Sequence, residues 1–171
     1  MKIINFIVIF ILSVSLWASE YEYSDDIDAH EAAKMVQTQH ALLIDVRDPV
    51  EYLYVGHAVG AINIPIFFVR VALPPLSVRE KVAAVERQKG KAIHVKKTYR
   101  PMMDENDKFV EEVVKAVHGK LDRPVIVMCR SGERSAYAAD KLTKNGFENV
   151  YNLEDGFVFG WKKAGLPSGG E

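Results

Sequence analysis

Apolar runs alternate with amphipathic stretches along most of this chain, which predicts strands that alternate with helices. The continuous apolar runs at 41–46 and 125–129 are typical of strands buried on both faces of a parallel sheet. Shorter strands are predicted at 61–65 and 149–153. A helix is predicted behind an aspartate cluster, because Ile27, Ala32 and Met35 follow helical spacing. Further helices are predicted near 108–119 and 133–146. Together these elements predict an α/β fold with a mostly parallel sheet and helices on both faces.

A short helix is predicted directly after the first apolar run. Asp48 is placed to cap it, Pro49 occupies the first helical position, and Glu51 can reach back toward the cap. The helix should extend to about Tyr54. We expect Arg47 and Glu51 to pair locally around its start.

Residues 66–108 interrupt the alternation, and we interpret them as a helical and irregular insertion. A helix is predicted at 77–90, ending at Gly90, and 91–107 has no clear period. Between 70 and 100 there are nine lysines and arginines against two glutamates. A solvated helix face is the simplest explanation. The alternative is that the insertion borders the mouth of a functional site, where it concentrates an anionic substrate or docks an acidic protein partner. Candidate aromatic residues for that mouth are Phe67, Phe68, Tyr99 and Trp161.

Composition and the N-terminus predict one exported globular domain. The 171 residues are 49% hydrophobic and 26% charged, with a formal net charge of -1, so we predict no nucleic-acid partner. Residues 1–18 contain Lys2, an apolar run and a small residue at Ala18, which predict a signal peptide followed by a single domain, 19–171. The run is shorter than the roughly 20 residues of a spanning helix. Export to the periplasm is therefore expected, with an uncleaved N-terminal anchor as the alternative.

The single cysteine of the chain, Cys129, lies where a buried strand ends and a polar loop begins. A lone cysteine cannot form an internal disulfide in an oxidising compartment, so it is either buried and inert or kept for chemistry. Gly132 gives the loop the freedom to curl, and loop amides together with the positive end of the next helix would stabilise a thiolate. The arginines that follow Cys129 are unsuited to the apolar surroundings of an inert buried cysteine, which favours the interpretation of Cys129 as a nucleophile.

Two separated motifs resemble the rhodanese-domain family, in particular its single-domain exported sulfurtransferases. They are LLIDVRDPVEYLYVGHAVGAINIP (42–65) and VIVMCRSGERSAYAADKL (125–142), and the segment GFENVYNLEDGFVFGWKKAGLP (146–167) resembles the family's closing region. The resemblance implies an open parallel sheet of about five strands. It also implies that Cys129 takes a sulfane sulfur from a small anionic donor such as thiosulfate and passes it to cyanide or a thiol. The covalent persulfide on Cys129 is then the intermediate, and no cofactor is expected.

The resemblance also assigns residues around the cysteine. The loop that holds the persulfide would consist of Arg130, Ser131, Gly132, Glu133, Arg134 and Ser135. Apart from the resemblance, Asp45 ends a buried strand and should lie at the same sheet edge as Cys129, where it would hydrogen-bond loop amides or orient an arginine; the alternative is a polar residue that only ends the strand. Arg47 is a further supporting residue. His57 matches the first motif and is interpreted as stabilising a turn. No histidine spacing indicates a metal site, and we predict none.

Two other functions compete with sulfur transfer. Tyrosine and dual-specificity phosphatases place an arginine six positions after the nucleophile, whereas here that position is Ser135 and Arg134 comes one earlier. This spacing weighs against a phosphatase or an arsenate reductase. A sulfur carrier or binding module that presents a persulfide to a periplasmic partner without rapid turnover remains the second hypothesis.

Overall fold

The computed structural model describes residues 21–93 and 98–170. Its central sheet contains five parallel strands. Their spatial order is β1 (Asp25–Ile27), β8 (Val150–Leu153), β7 (Val125–Met128), β2 (Leu42–Asp45) and β4 (Ile62–Asn63). The predicted α/β class and parallel sheet are thus confirmed.

Helices cover both faces of the sheet, as predicted. On one face lie α1 (Ala29–Gln39) and a π-helix (Gly156–Trp161), and on the other lie α4 (Phe109–Ala116) and α5 (Glu133–Lys144). Helices α2 (Pro49–Tyr54) and α3 (Leu76–Lys89) contribute no buried residue to either face. Successive side chains of a strand point to opposite faces, so β7 contributes Val125 and Val127 to a core with α4 and α5. Its Ile126 and Met128 pack with α1 and the π-helix. Burial on both faces explains the continuous apolar runs.

The predicted caps of α1 and α2 are confirmed, but one residue that we assigned to a helix lies in a strand. Asp28 caps α1 by accepting from the amides of His30 and Glu31, and Asp48 caps α2 by accepting from that of Val50. Ile27, which we assigned to the helical pattern, instead ends β1 and pairs with Leu153. The extended backbone of the cap residue separates strand from helix within one residue, which hydrophobic spacing does not resolve.

The insertion contains a two-stranded element that we did not predict. Strand β5 (Phe67–Val71) pairs antiparallel with β6 (Pro101–Glu105), and we call this pair the ribbon. Helix α3 lies between the two strands in the chain and ends at Gly90, as predicted. The two strands pair across some thirty residues, so neither sequence indicates its partner, and the segment without clear period contains β6. A second small pair joins β3 (His57–Ala58) to β9 (Ser168–Gly169).

The predicted signal peptide, residues 1–18, lies outside the described residues. Within 21–93 and 98–170, none of the helices has a stretch of the length and apolarity that crossing a membrane requires.

Candidate functional site

Cys129 follows β7 at the carboxyl edge of the sheet and begins the cysteine loop, residues 129–135. The residue is only 1% exposed and packs in the core shared by β2, β7, α4 and α5. Asp45 of β2 pairs in register with Met128, so the two strands end at the same edge. This is the position at which parallel α/β sheets commonly form their sites.

Two groups of the cysteine loop contact the sulfur. The Gly132 amide donates a hydrogen bond to Sγ of Cys129, with N and Sγ 3.2 Å apart. The Ser135 hydroxyl oxygen lies 3.4 Å from Sγ and 2.9 Å from the Gly132 carbonyl oxygen, so its one proton can be donated to either. We expected several successive amides to converge on the sulfur; of the amides of residues 130–135, the structure shows that of Gly132 donating to it, and the second contact is the Ser135 hydroxyl.

The shape of the cysteine loop depends on glycines that leave no room for a side chain. Gly132 has φ +96°, and a Cβ there would lie 1.8 Å from the carbonyl oxygen of Glu154. A Cβ on Gly156 would come within 2.6 Å of three backbone atoms of residues 129–131. The Phe157 amide donates to the Cys129 carbonyl at 2.7 Å. The start of the π-helix therefore fixes the back of the loop.

In an assay of the sulfur transfer that the sequence predicts, Gly132→Ala is expected to lower kcat by on the order of 100-fold, the size of effect seen when a preorganised donor is removed. The added methyl group cannot coexist with Glu154, so the amide must move away from the sulfur. Steady-state assay of thiocyanate formation measures the effect. Gly60→Ala is the matched control because Gly60 has φ +86° and a Cβ added there would meet no atom within 4 Å. Gly60→Ala should lose about 1–2 kcal/mol of stability and keep its kcat. Equal losses of activity in the two variants would contradict the role of the Gly132 amide at the sulfur.

The arginines of the cysteine loop have different environments. Arg134 forms a bidentate pair with Glu51 of α2, at 2.6 Å (Nη1–Oε2) and 3.0 Å (Nη2–Oε1). Burial opposes the charge of Arg134, but its hydrogen bonds to Glu51 and the nearby Cys129 raise its pKa above the ordinary value. Arg130 is exposed, with its guanidinium 6.0 Å from the ring centre of Phe159. Ser131 and Glu133 are also exposed.

The local pair of Arg47 with Glu51 that we expected is wrong. Arg47 is fully buried and binds Asp45 instead, with 2.5 Å between Nη2 and Oδ2, and it also donates to the Gly56 carbonyl at 2.7 Å. Its guanidinium lies 4.4 Å from the ring centre of Phe157, whose amide bonds the cysteine loop. Glu51 instead contacts Arg134 of the second motif, because α2 lies beside the cysteine loop. Asp45 thus orients an arginine, one of its two predicted roles.

A cavity of about 610 Å³ lies beside the cysteine loop. It is lined by Arg130, Ser131 and Arg134 of the loop, Asp48, Val50 and Glu51 at α2, Val69, Val71, Pro101 and Met103 of the ribbon, and Phe159. The insertion therefore borders this cavity, but it does so with apolar residues. Among the described lysines and arginines of 70–100, none lines it, and Lys96 and Lys97 lie outside the described residues.

Of the aromatic residues proposed for the mouth, all four lie elsewhere. Phe67 stacks on Tyr137, and Trp161 is buried and donates to the Pro167 carbonyl. Phe68 is 45% exposed without lining the cavity, and Tyr99 borders a separate cavity of about 490 Å³ within the insertion. The aromatic residue at the mouth is Phe159.

The histidines within 21–93 and 98–170 form no further site with other possible metal ligands. His57 stacks on Tyr52, with ring centres 4.0 Å apart, consistent with a role in the turn. In the part of the chain that the structure describes, no group of three or more histidine, cysteine or carboxylate side chains is arranged to hold a metal ion. The absence of a metal remains a prediction.

Sequence reasoning missed the Arg134–Glu51 pair and the ribbon wall of the cavity. The aromatic and β-branched residues of FFVRV were a signal for one strand, whereas PMMDE has neither this composition nor an alternation of apolar and polar residues. The pair with Glu51 joins residues 83 positions apart, and spacing alone does not reveal such a contact.

Known proteins similar to this chain are rhodanese-like proteins. A family model described as "Rhodanese-like domain" matches residues 28–164. The chain is 30% identical over 158 residues to rhodanese-like domain-containing protein 14, chloroplastic, from Arabidopsis thaliana, covering 82% of this chain and 63% of that protein. It thus spans less than two thirds of that relative. It is 27% identical over 141 residues to the thiosulfate sulfurtransferase GlpE of Vibrio cholerae, covering 82% and 91%.

Solved structures share the fold. The crystal structure of Rv0390 from M. tuberculosis superposes with a TM-score of 0.57 at 24% identity, covering 86% of this chain and 98% of that one. Thiosulfate sulfurtransferase from Pseudomonas aeruginosa gives a TM-score of 0.55 at 17% identity, covering 86% and 20%.

Proposed function

The chain belongs to the rhodanese-like domain family, and on that basis we propose that it is a sulfurtransferase of the thiosulfate type. Cys129 takes a sulfane sulfur from a donor such as thiosulfate and passes it to cyanide or a thiol. The observation that carries the proposal is the sulfur of Cys129 held by the Gly132 amide at 3.2 Å in a tightly curled loop. The relative from Vibrio cholerae that is named a thiosulfate sulfurtransferase supports the choice of donor.

The first step forms the persulfide. The Cys129 thiolate attacks the outer sulfur of thiosulfate, an S–S bond to Sγ forms, and the S–S bond of thiosulfate breaks to release sulfite with its electron pair. The terminal sulfur of the persulfide carries the negative charge. The Gly132 amide, whose nitrogen is 3.2 Å from Sγ, and the charge of Arg134 at the start of α5 stabilise this anion in the proposed mechanism.

The second step returns the thiolate. Cyanide or a thiolate attacks the outer sulfur of the persulfide, the Sγ–S bond breaks, and its electron pair goes back to Sγ. Each step exchanges one S–S or C–S bond for another, so no cofactor is needed beyond the covalent intermediate. The chain has no second cysteine to resolve the persulfide, so the sulfur must leave to another molecule.

We also propose where the protein works and which partners it has. We place the working domain at 19–171 after removal of residues 1–18, in the periplasm, with retention of the segment as an anchor as the alternative. The acidic protein partner proposed for 70–100 stays a prediction, and the basic residues of α3 are the place to test it. Nucleic acid is not among the proposed partners.

Initial-rate kinetics with thiosulfate and cyanide test the proposal. Because the persulfide forms before the acceptor reacts, double-reciprocal plots at several cyanide concentrations should be parallel lines. Lines that intersect would contradict a persulfide route. Persulfide formation without turnover would support the carrier, and hydrolysis of a phosphate ester without persulfide formation would support the phosphatase.

A further inference from the structure

The ribbon has two chemically different faces. Side chains alternate along a strand, so one face collects every second residue of β5 and its partner on β6. That face consists of Phe67, Val69, Val71, Pro101, Met103 and Glu105. The opposite face carries the exposed ion pair between Arg70 and Asp104 together with the exposed side chains of Phe68 and Met102. Five of the six residues on the first face are apolar, against two of the four on the opposite face, and we call the first the apolar face.

Contacts on both flanks hold the apolar face over the cysteine loop. On the α5 side, Phe67 stacks on Tyr137 with ring centres 5.5 Å apart, and Glu105 accepts from the Tyr137 hydroxyl at 2.9 Å. On the α2 side, the Val69 amide donates to Asp48 Oδ2 at 2.8 Å. The cap of α2 and the helix that follows the cysteine loop thus fix the position of the ribbon. Its central residues become a wall of the cavity.

The cavity is large and apolar for a site that handles small anions. Its volume of about 610 Å³ lies within the roughly 300–1,000 Å³ typical of pockets for organic molecules. Cyanide and thiosulfate fill only a small part of such a space. Val71, Met103 and Phe159 on its rim are 51%, 56% and 49% exposed. Apolar side chains clustered at an open mouth indicate a binding surface.

The charges around the cavity are already matched. Arg134 is paired with Glu51, and the Asp48 carboxylate accepts from the amides of Val50 and Val69. Arg130 and Arg134 balance the two carboxylates, so the lining as a whole carries no net charge. An uncharged apolar body therefore fits this space better than an additional anion does.

We infer that this cavity binds the acceptor, a small organic thiol whose carbon chain or ring is apolar. The inference rests on the proposed sulfur transfer and names its acceptor class. The acceptor thiolate attacks the outer sulfur of the Cys129 persulfide, forming a new S–S bond. The Sγ–S bond breaks and its electron pair returns to Sγ. The product is an organic persulfide, and no oxidant or reductant is consumed.

A series of thiols from mercaptoethanol to mercaptohexanol tests the inference. These compounds differ in carbon chain length while keeping one thiol and one hydroxyl. With persulfidated protein, kcat/KM for sulfur discharge should rise by up to about fourfold for each added methylene that the cavity buries. A flat series with the unaltered protein would overturn the inference.

The two adjacent methionines of β6 provide a matched pair of variants. Met103 lines the cavity and is 56% exposed, whereas Met102 lies on the opposite face and is 44% exposed. Met103→Gln should reduce the dependence on chain length, and Met102→Gln should leave it unchanged. Discharge to cyanide is measured in each variant as its own reference rate, so that the dependence on chain length is compared separately from any change in the basal reaction. Equal chain-length dependence in the two variants would overturn the inference.

Binding to Cys129→Ser separates this inference from the proposed function. Calorimetric titration of that variant with the same thiols requires no sulfur transfer. Affinity that rises with chain length, and does so less when Met103→Gln is added, supports the acceptor site even if the unaltered protein forms no persulfide. Affinity independent of chain length contradicts the site even if cyanide is turned over normally.

Discussion

Cys129→Ser is expected to eliminate thiocyanate formation, leaving no rate above that without protein. A serine hydroxyl does not displace sulfite from thiosulfate, and the chain offers no other thiol to carry the sulfur. The substitution exchanges one atom at a 1% exposed position, so the fold should persist. The assay with thiosulfate and cyanide measures the rate, and circular dichroism checks the fold.

Ser135→Ala is the graded comparison for the same site. Its hydroxyl lies 3.4 Å from Sγ, and a hydrogen bond to a charged group is worth about 1.5–3 kcal/mol, so activity should fall by on the order of tenfold to a hundredfold. A folded Cys129→Ser protein with more activity than Ser135→Ala would show that another group carries the sulfur.

Arg47→Met is expected to lower the free energy of unfolding by about 3–5 kcal/mol, because it leaves the Asp45 carboxylate buried without its partner. Both side chains are 0% exposed, and Arg47 also satisfies the Gly56 carbonyl. A loss of this size is a large part of the roughly 5–15 kcal/mol that stabilises a typical domain. Urea denaturation followed by circular dichroism measures it.

Arg70→Met is the matched control for Arg47→Met. Arg70 also pairs with an aspartate, Asp104, but their side chains are 64% and 52% exposed. Water screens such a pair, so the loss should not exceed about 1 kcal/mol. Replacing both members of the buried pair, as Asp45→Leu with Arg47→Met, should recover part of the stability. Similar losses for Arg47→Met and Arg70→Met would contradict the explanation by burial.

The parallel sheet and the cysteine loop could be predicted because their signals are local. Two runs that are apolar except for Asp45 are typical of strands buried on both faces, and the residues after Cys129 specify a curled loop within one short segment. The caps of α1 and α2 were predictable for the same reason, since Asp28 and Asp48 bond amides only two or three residues away.

The wall of the cavity could not be predicted because it depends on distant pairing. Val69 and Met103 are brought together by a ribbon whose strands are separated by α3 in the chain, and the sequence around each residue does not indicate its partner. The pairing of Arg47 was misjudged because a residue three or four positions away on a helix is the usual partner. Arg47 is fully buried, so its charge needs a partner that is buried beside it, and that partner is the carboxylate of Asp45, two positions away.

The intact mass of the protein after incubation with thiosulfate tests the central claim most directly. The account predicts a gain of one sulfur atom, found on the peptide that contains Cys129, absent from Cys129→Ser and removed by cyanide with release of thiocyanate. An unchanged mass under conditions in which thiocyanate is formed would contradict a persulfide on Cys129.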